Sequence, residues 1–227
     1  MDKKEIMKHS FEKHLYSGET EEEMKKDIIR QAVEYILKFE SLSSELCLQG
    51  TRQKLIQSRT QAIEIKTGDF LEEYFNIILE KSGYKLLSKK IDGKRCDIYC
   101  CHEKQKRIIL VEMKIRDGHD STKKDGQATN FDTKIQSIID KDMPKYSGFE
   151  FKAYEWFLDS KIRKNENYYK ERVADKRNEL KDKGINKVEI SDPCYGGKLI
   201  NELTGNAAEW KDFMDNLKMI KEEKKSM

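Results

Sequence analysis

The sequence predicts an α/β fold, a central mixed β-sheet flanked by helices, with extra helices at the N- and C-termini. Three observations carry that expectation. Apolar residues recur at helical spacing before and after a short central region. In that region the period switches to two, in short segments rich in Ile, Val, Tyr and Cys. Helix, hairpin, helix, strand and helix then follow one another along the chain. The 227 residues are ample for one hydrophobic core. Charged residues make up 38% of the chain, above the roughly 25% usual in soluble domains. A mean hydropathy of -0.87 points toward disorder, but the 9% aromatic content and the patterned apolar segments point back to a folded core. No apolar run approaches the roughly 18 residues of a membrane span. The opening MDKKEIMKHS also lacks the apolar region of a signal peptide, so the expectation is a cytoplasmic protein without membrane contact.

In chain order, the first fifty residues read as helical. Thr20 and Glu23 stand at capping-box spacing, and Met24, Ile28, Ala32 and Ile36 recur every four residues. A polar segment around Leu48–Ser58 follows. From Arg59 to Gly83 the stripe Phe70, Leu71, Tyr74, Phe75, Ile78 and Leu79 predicts a core helix, with Gly83 suited to its C-terminal end. Arg95–Cys101 and Arg107–Ile115, joined by the polar turn His102–Lys106, predict a hairpin, and a further early strand is compatible with Lys85–Ile91. A polar loop, Arg116–Lys124, leads into a helix carrying Phe131, Ile135 and Ile138. Phe151–Leu158 reads as a strand, residues 160–183 as a very polar helix, and Lys187–Ile190 as a short strand. Asn206–Lys225 reads as a terminal helix anchored by Trp210, Phe213 and Leu217. Two prolines and no low-complexity tract leave no obvious linker. The expected division is a helical region 1–58, for dimerisation or recognition, and one compact unit 59–227.

The formal charge of +3 conceals a gradient. Residues 1–50 hold 8 basic and 11 acidic side chains, whereas residues 85–134 hold 13 basic and 8 acidic ones. A locally basic stretch suits a polyanion-facing surface, although lysine-rich solvated faces are common. The five cysteines lack CxxC spacing. Cys96, Cys100, Cys101 and His102 have no second ligand pair to complete a zinc site, which leaves reduced thiols packed in or beside a strand.

The residues that carry chemistry are Asp97, Glu112 and Lys114. Side chains alternate along a strand, so Glu112 and Lys114 share one face while Ile109, Val111, Met113 and Ile115 occupy the other. Burying a carboxylate and an ammonium at the end of an apolar strand is costly unless both have partners. A hairpin brings Asp97 beside Glu112, and two adjacent carboxylates make a hard-oxygen site suited to Mg²⁺. A lysine at its edge suits either proton transfer or charge stabilisation at a phosphorus centre, the equipment of phosphodiester hydrolysis. The plain alternative is a strand-end salt bridge, Glu112 with Lys114 or Asp97 with Arg95.

Asp97 followed by Glu112-Met113-Lys114, each on a short apolar strand, resembles the PD-(D/E)xK nuclease signature, with Cys96 in the place of the usual proline. Gly68-Asp-Phe-Leu-Glu72 resembles the first core helix of these nucleases. The resemblance implies a restriction-endonuclease-like core, with Asp97 and Glu112 as metal ligands, Lys114 as the catalytic lysine and Glu72, or Glu73, completing the site. Arg116-Asp-Gly-His119-Asp-Ser121-Thr122-Lys123-Lys124-Asp-Gly-Gln127 is similar to loops of certain type II restriction endonucleases. Their Tyr-Gly-Gly-Lys…Leu-Thr-Gly…Trp pattern is echoed at Tyr195–Trp210.

Lys123, Gln127, Asn130 and Lys134 fall at i, i+4, i+7 and i+11 and predict one polar stripe, read either as a DNA-facing surface or as a solvated face. Lysines suit phosphates, while Gln and Asn pair with adenine edges. Arg116, His119, Ser121, Thr122 and Lys124 join them as candidate DNA contacts. Ser121 and Thr122 serve equally as helix caps, and His119 as a phosphate contact, an auxiliary acid or an ordinary loop residue. The helix at 160–183, with Tyr168 and Tyr169 among its charges, suits a DNA-clasping arm, a dimer element or a solvated face. The combined expectation is a Mg²⁺-dependent type II restriction endonuclease, a homodimer cutting double-stranded DNA at a short specific site. The alternatives are a structure-directed repair, junction or RNA-processing nuclease with the same core, or a helical nucleic-acid-binding protein in which the E-x-K is structural.

Overall fold

The computed structural model describes residues 2–14, 51–115 and 121–225. The helical pattern read around Thr20–Ile36 lies outside them. Two compact units divide the chain, Met1–Glu73 and Tyr74–Met227. The first holds α1 (Lys3–His14) and the larger part of α2 (Thr51–Lys81). The expected boundary at 58/59 therefore falls inside one continuous helix, as do residues 51–58 of the polar segment read before Arg59.

The second unit is an α/β fold built on a mixed sheet. Its strands are β1 (Lys85–Leu86), β4 (Ile98–His102), β5 (Arg107–Lys114), β6 (Glu150–Phe157), β7 (Val188–Ile190) and β8 (Cys194–Tyr195). The order is β1-β4-β5-β6-β7, with β8 also on β6. β2 (Lys90–Ile91) and β3 (Lys94–Arg95) form a separate two-stranded ribbon. The β1–β4 and β4–β5 pairs are antiparallel, whereas β6 runs parallel to β5, β7 and β8. The switch follows from chain length: a short turn joins β4 to β5, while β5 reaches β6 through α3 (Ser121–Ser137), a π-helical turn (Ile138–Asp142) and a 3-10 turn (Met143–Lys145).

Each sheet face is covered by helices. Tyr99, Ile108, Leu110, Phe151 and Ala153 pack with Phe131, Ile135 and Ile138 of α3 and with Val173 and Leu180 of α4 (Glu166–Asp182). The other face carries an aromatic cluster. Phe75, near the end of α2, meets Trp156 at 4.8 Å and Phe213 of α6 (Glu209–Lys225) at 5.0 Å between ring centroids. Helix α2 ends as its glycine predicts: Gly83 has φ +91, and the Tyr84 amide donates back to the Leu79 carbonyl.

The glycines of the Tyr195–Trp210 segment serve packing. Gly196 takes φ +64, and its carbonyl accepts the Trp156 indole N–H at 2.6 Å. A Cβ on Gly197 would stand 2.0 Å from the Trp210 ring. Gly205, at φ +66, closes α5 (Lys198–Thr204). Cys96, Cys100 and Cys101 are buried free thiols.

Candidate functional site

Hairpin register brings the predicted residues together. Ile98, the first residue of β4, pairs with Val111, so Asp97, just before the ladder, lies near the strand end that carries Glu112. Asp97 Oδ2 accepts the Met113 amide N–H at 2.7 Å, which ties its carboxylate to the end of β5. The Asn76 side-chain amide donates to the Asp97 carbonyl at 3.4 Å. Glu112 and Lys114, two apart on β5, share the face covered by α3 and α4.

The salt bridge expected between Glu112 and Lys114 gives way to two others. Parallel pairing places Glu155 of β6 beside Glu112, and it is Glu155 that takes the Lys114 ammonium, at 2.9 Å. Its second oxygen accepts Arg172 of α4, also at 2.9 Å. The same guanidinium reaches Asp132 and the Ala128 carbonyl, both at 3.0 Å. Burial lifts the Asp132 carboxyl above its ordinary range, against the opposing pull of Arg172. Lys114 also lies over the rings of Phe157 and Tyr169, 5.4 and 5.1 Å from their centroids. With Glu155 only 1% exposed and Lys114 7% exposed, this ion pair is desolvated and held rigidly by three elements.

Glu112 pairs instead with Lys134 of α3, at 2.6 Å. This corrects the expectation of a DNA-facing stripe through Lys134, which is 4% exposed. The reason is helical geometry: Lys134 is three residues after Phe131 and four before Ile138, so it shares the inward face of those apolar residues. Asn130 is exposed. Arg116 and His119 lie outside the described residues, as do the side chains of Ser121, Thr122, Lys123, Lys124 and Gln127, although the last five positions belong to α3. Of the two helix acids, Glu72 is buried and Glu73 pairs with Lys13 at 2.7 Å; both belong to the first unit.

Sequence reading passed over Glu155, Arg172 and Asp132. Glu155 had a signal: it is the lone acid within the apolar run Phe151–Leu158, at an inward position of the strand. Arg172 and Asp132 had none, being charged residues among many on polar helices.

The site therefore sets Asp97, Glu112, Glu155 and Asp132 against Lys114, Lys134 and Arg172, leaving one excess negative charge among these side chains. Among the described residues, no group of three or more His, Cys, Asp or Glu side chains is placed to hold a metal by itself. A two-carboxylate set is nevertheless what Mg²⁺ commonly uses, since it keeps waters and takes substrate phosphate oxygens for its remaining positions. Asp97, just before β4, and Glu112, near the end of β5, both only partly buried, fit that chemistry. The chain matches no protein-family model, and neither a curated protein nor a solved structure is similar to it.

Proposed function

We propose that the protein is a Mg²⁺-dependent endonuclease that hydrolyses phosphodiester bonds of double-stranded DNA, of the site-specific type II restriction class and acting as a homodimer. The observation that carries this reading is Asp97, tied through its carboxylate to the Met113 amide next to Glu112, with the buried, fixed ammonium of Lys114 two residues beyond Glu112 on the same strand face. The order of core elements, helix, antiparallel strands, helix and parallel strand, supports the resemblance drawn from Asp97 and Glu112-Met113-Lys114.

Asp97 and Glu112 would hold the cation. When bound, Mg²⁺ supplies charge neutralisation at the phosphate and lowers the pKa of a coordinated water. The chain's own residues do the rest. Lys114 presents an ammonium whose direction is set by Glu155, and it donates hydrogen bonds to negative charge developing at the phosphorus centre. Arg172 holds Glu155 in place from the helix side, so Lys114 need not reorganise during reaction. Asp97, tied to the Met113 amide, orients its remaining oxygen capacity without a flexible stem.

The test is digestion of long duplex DNA with and without Mg²⁺, for the native chain and for Asp97→Ala, Glu112→Ala and Lys114→Ala. Discrete Mg²⁺-dependent bands that each substitution reduces at least about a hundredfold, with DNA binding in Ca²⁺ largely retained, support the proposal. Unchanged cleavage after the Asp97 or Glu112 replacement removes this site from the mechanism. One observation favours a second reading, a nucleic-acid-binding protein in which the E-x-K is structural: Glu112 and Lys114 already have close ionic partners in Lys134 and Glu155. That reading expects no cleavage under any metal condition.

A further inference from the structure

We infer that Lys134 is an internal counter-ion of the candidate metal site, occupying Glu112 until a divalent cation replaces it. The inference rests on the proposed role of Glu112 as a metal ligand and adds a device that regulates it. Lys134 approaches from α3, not from the strand that carries the E-x-K motif, and its Nζ lies 2.6 Å from Glu112 Oε2. The Lys134 side chain is 4% exposed, whereas that of Glu112 is 20% exposed. A lysine so desolvated is stabilised by an anionic partner, which Glu112 supplies, so giving that partner up to a cation costs free energy. The Glu112 side chain keeps some exposure to solvent, from which a hydrated cation would arrive.

Two adjacent carboxylates without a cation repel each other. Lys134 removes that repulsion in the metal-free protein, while Glu155 and Arg172 keep the neighbouring Lys114 engaged elsewhere. Lys114 is thus not the cation that neutralises Glu112. The same Glu112 oxygen cannot serve Lys134 at 2.6 Å and a divalent ion at full strength, so the two compete. Affinity for the metal is lowered by whatever the Lys134 contact contributes.

The experiment measures Mn²⁺ binding to the full chain by the loss of the free-ion electron paramagnetic resonance signal. The native protein is compared with Lys134→Met, Lys134→Arg and Glu112→Gln. Lys134→Met should bind Mn²⁺ about tenfold tighter, the scale of one charged hydrogen bond. It should also show the larger rise in Tm on adding the metal. Lys134→Arg, whose planar fork occupies both Glu112 oxygens, should bind more weakly than the native chain. Glu112→Gln should bind least. Equal or weaker binding by Lys134→Met, with the native chain binding and Glu112→Gln defective, overturns the counter-ion role and leaves the metal site standing. Absence of binding in both the native chain and Lys134→Met overturns the metal site and this inference together. Should Lys134→Met fail to fold, Lys134→Arg decides: weaker binding supports the competition, and equal or tighter binding overturns it.

Discussion

At the residue scale, Glu155 has the greatest influence over the site. Both of its oxygens are used, one by Lys114 and one by Arg172, and the carboxylate is almost wholly removed from water. Removing one member of a buried ion cluster strands the others, which typically costs about 3–5 kcal/mol. Glu155→Gln should therefore lower unfolding stability by roughly 3 kcal/mol in urea titrations. Part of that loss should return in the double variant Glu155→Gln/Lys114→Met, which no longer buries an unpaired ammonium. A double variant no more stable than the single one would show that Lys114 and Glu155 are energetically independent. The strand alternation that put Glu112 and Lys114 on one face was legible in the sequence. Their true partners were not, because Lys134 and Glu155 are 22 and 41 residues away from them and no local period reports such a pairing.

At the scale of elements, legibility follows length and locality. The β4–β5 hairpin and the strand β6 alternate over enough residues to be recognised, whereas β1, β2, β3 and β8 have two residues each and carry no period. Helix α5, seven residues long, was missed for the same reason. The Gly196-Gly197 pair beside it stands out as a motif, and the basis for Gly197 is the Trp210 ring lying where a Cβ would go. Gly197→Ala should cost about 1–3 kcal/mol through overpacking, read as a lower Tm; an unchanged Tm would mean that Trp210 moves freely aside. Helix α4 gives a pH prediction. Hydrogen bonds from Lys176 and then Lys183 hold the Glu179 carboxyl down to about 2. A depressed carboxylate contributes stability above its ordinary value of 4.5, and that contribution fades as pH falls toward 2. Glu179→Gln should accordingly melt below the native chain near neutrality, by a modest margin because the pair is exposed. The two melting curves should converge near pH 2, and a gap that persists there would rule out the ionic origin.

At the scale of the whole molecule, the +3 charge says little, since the acidic start and basic middle offset each other. Among the described residues, no helix is long and apolar enough to cross a membrane. The proposed two-strand cleavage predicts a dimer in sedimentation equilibrium, with twice the protein mass per duplex site that a monomer would show. A protein that stays monomeric with and without DNA would confine the reading to single-strand nicking or binding. One further property follows from the three thiols sealed along the β4 side of the sheet. Cys100 is fully buried, and burial pushes its thiol well above the ordinary range, so it is nearly inert toward thiol reagents in the folded state. Its rate of labelling then reads how often the central sheet opens, a stopwatch for cooperative unfolding that needs no engineered probe. Because Cys100 lies on the strand next to the one bearing Glu112 and Lys114, a ligand seated on that strand end would slow the clock before any reaction is assayed.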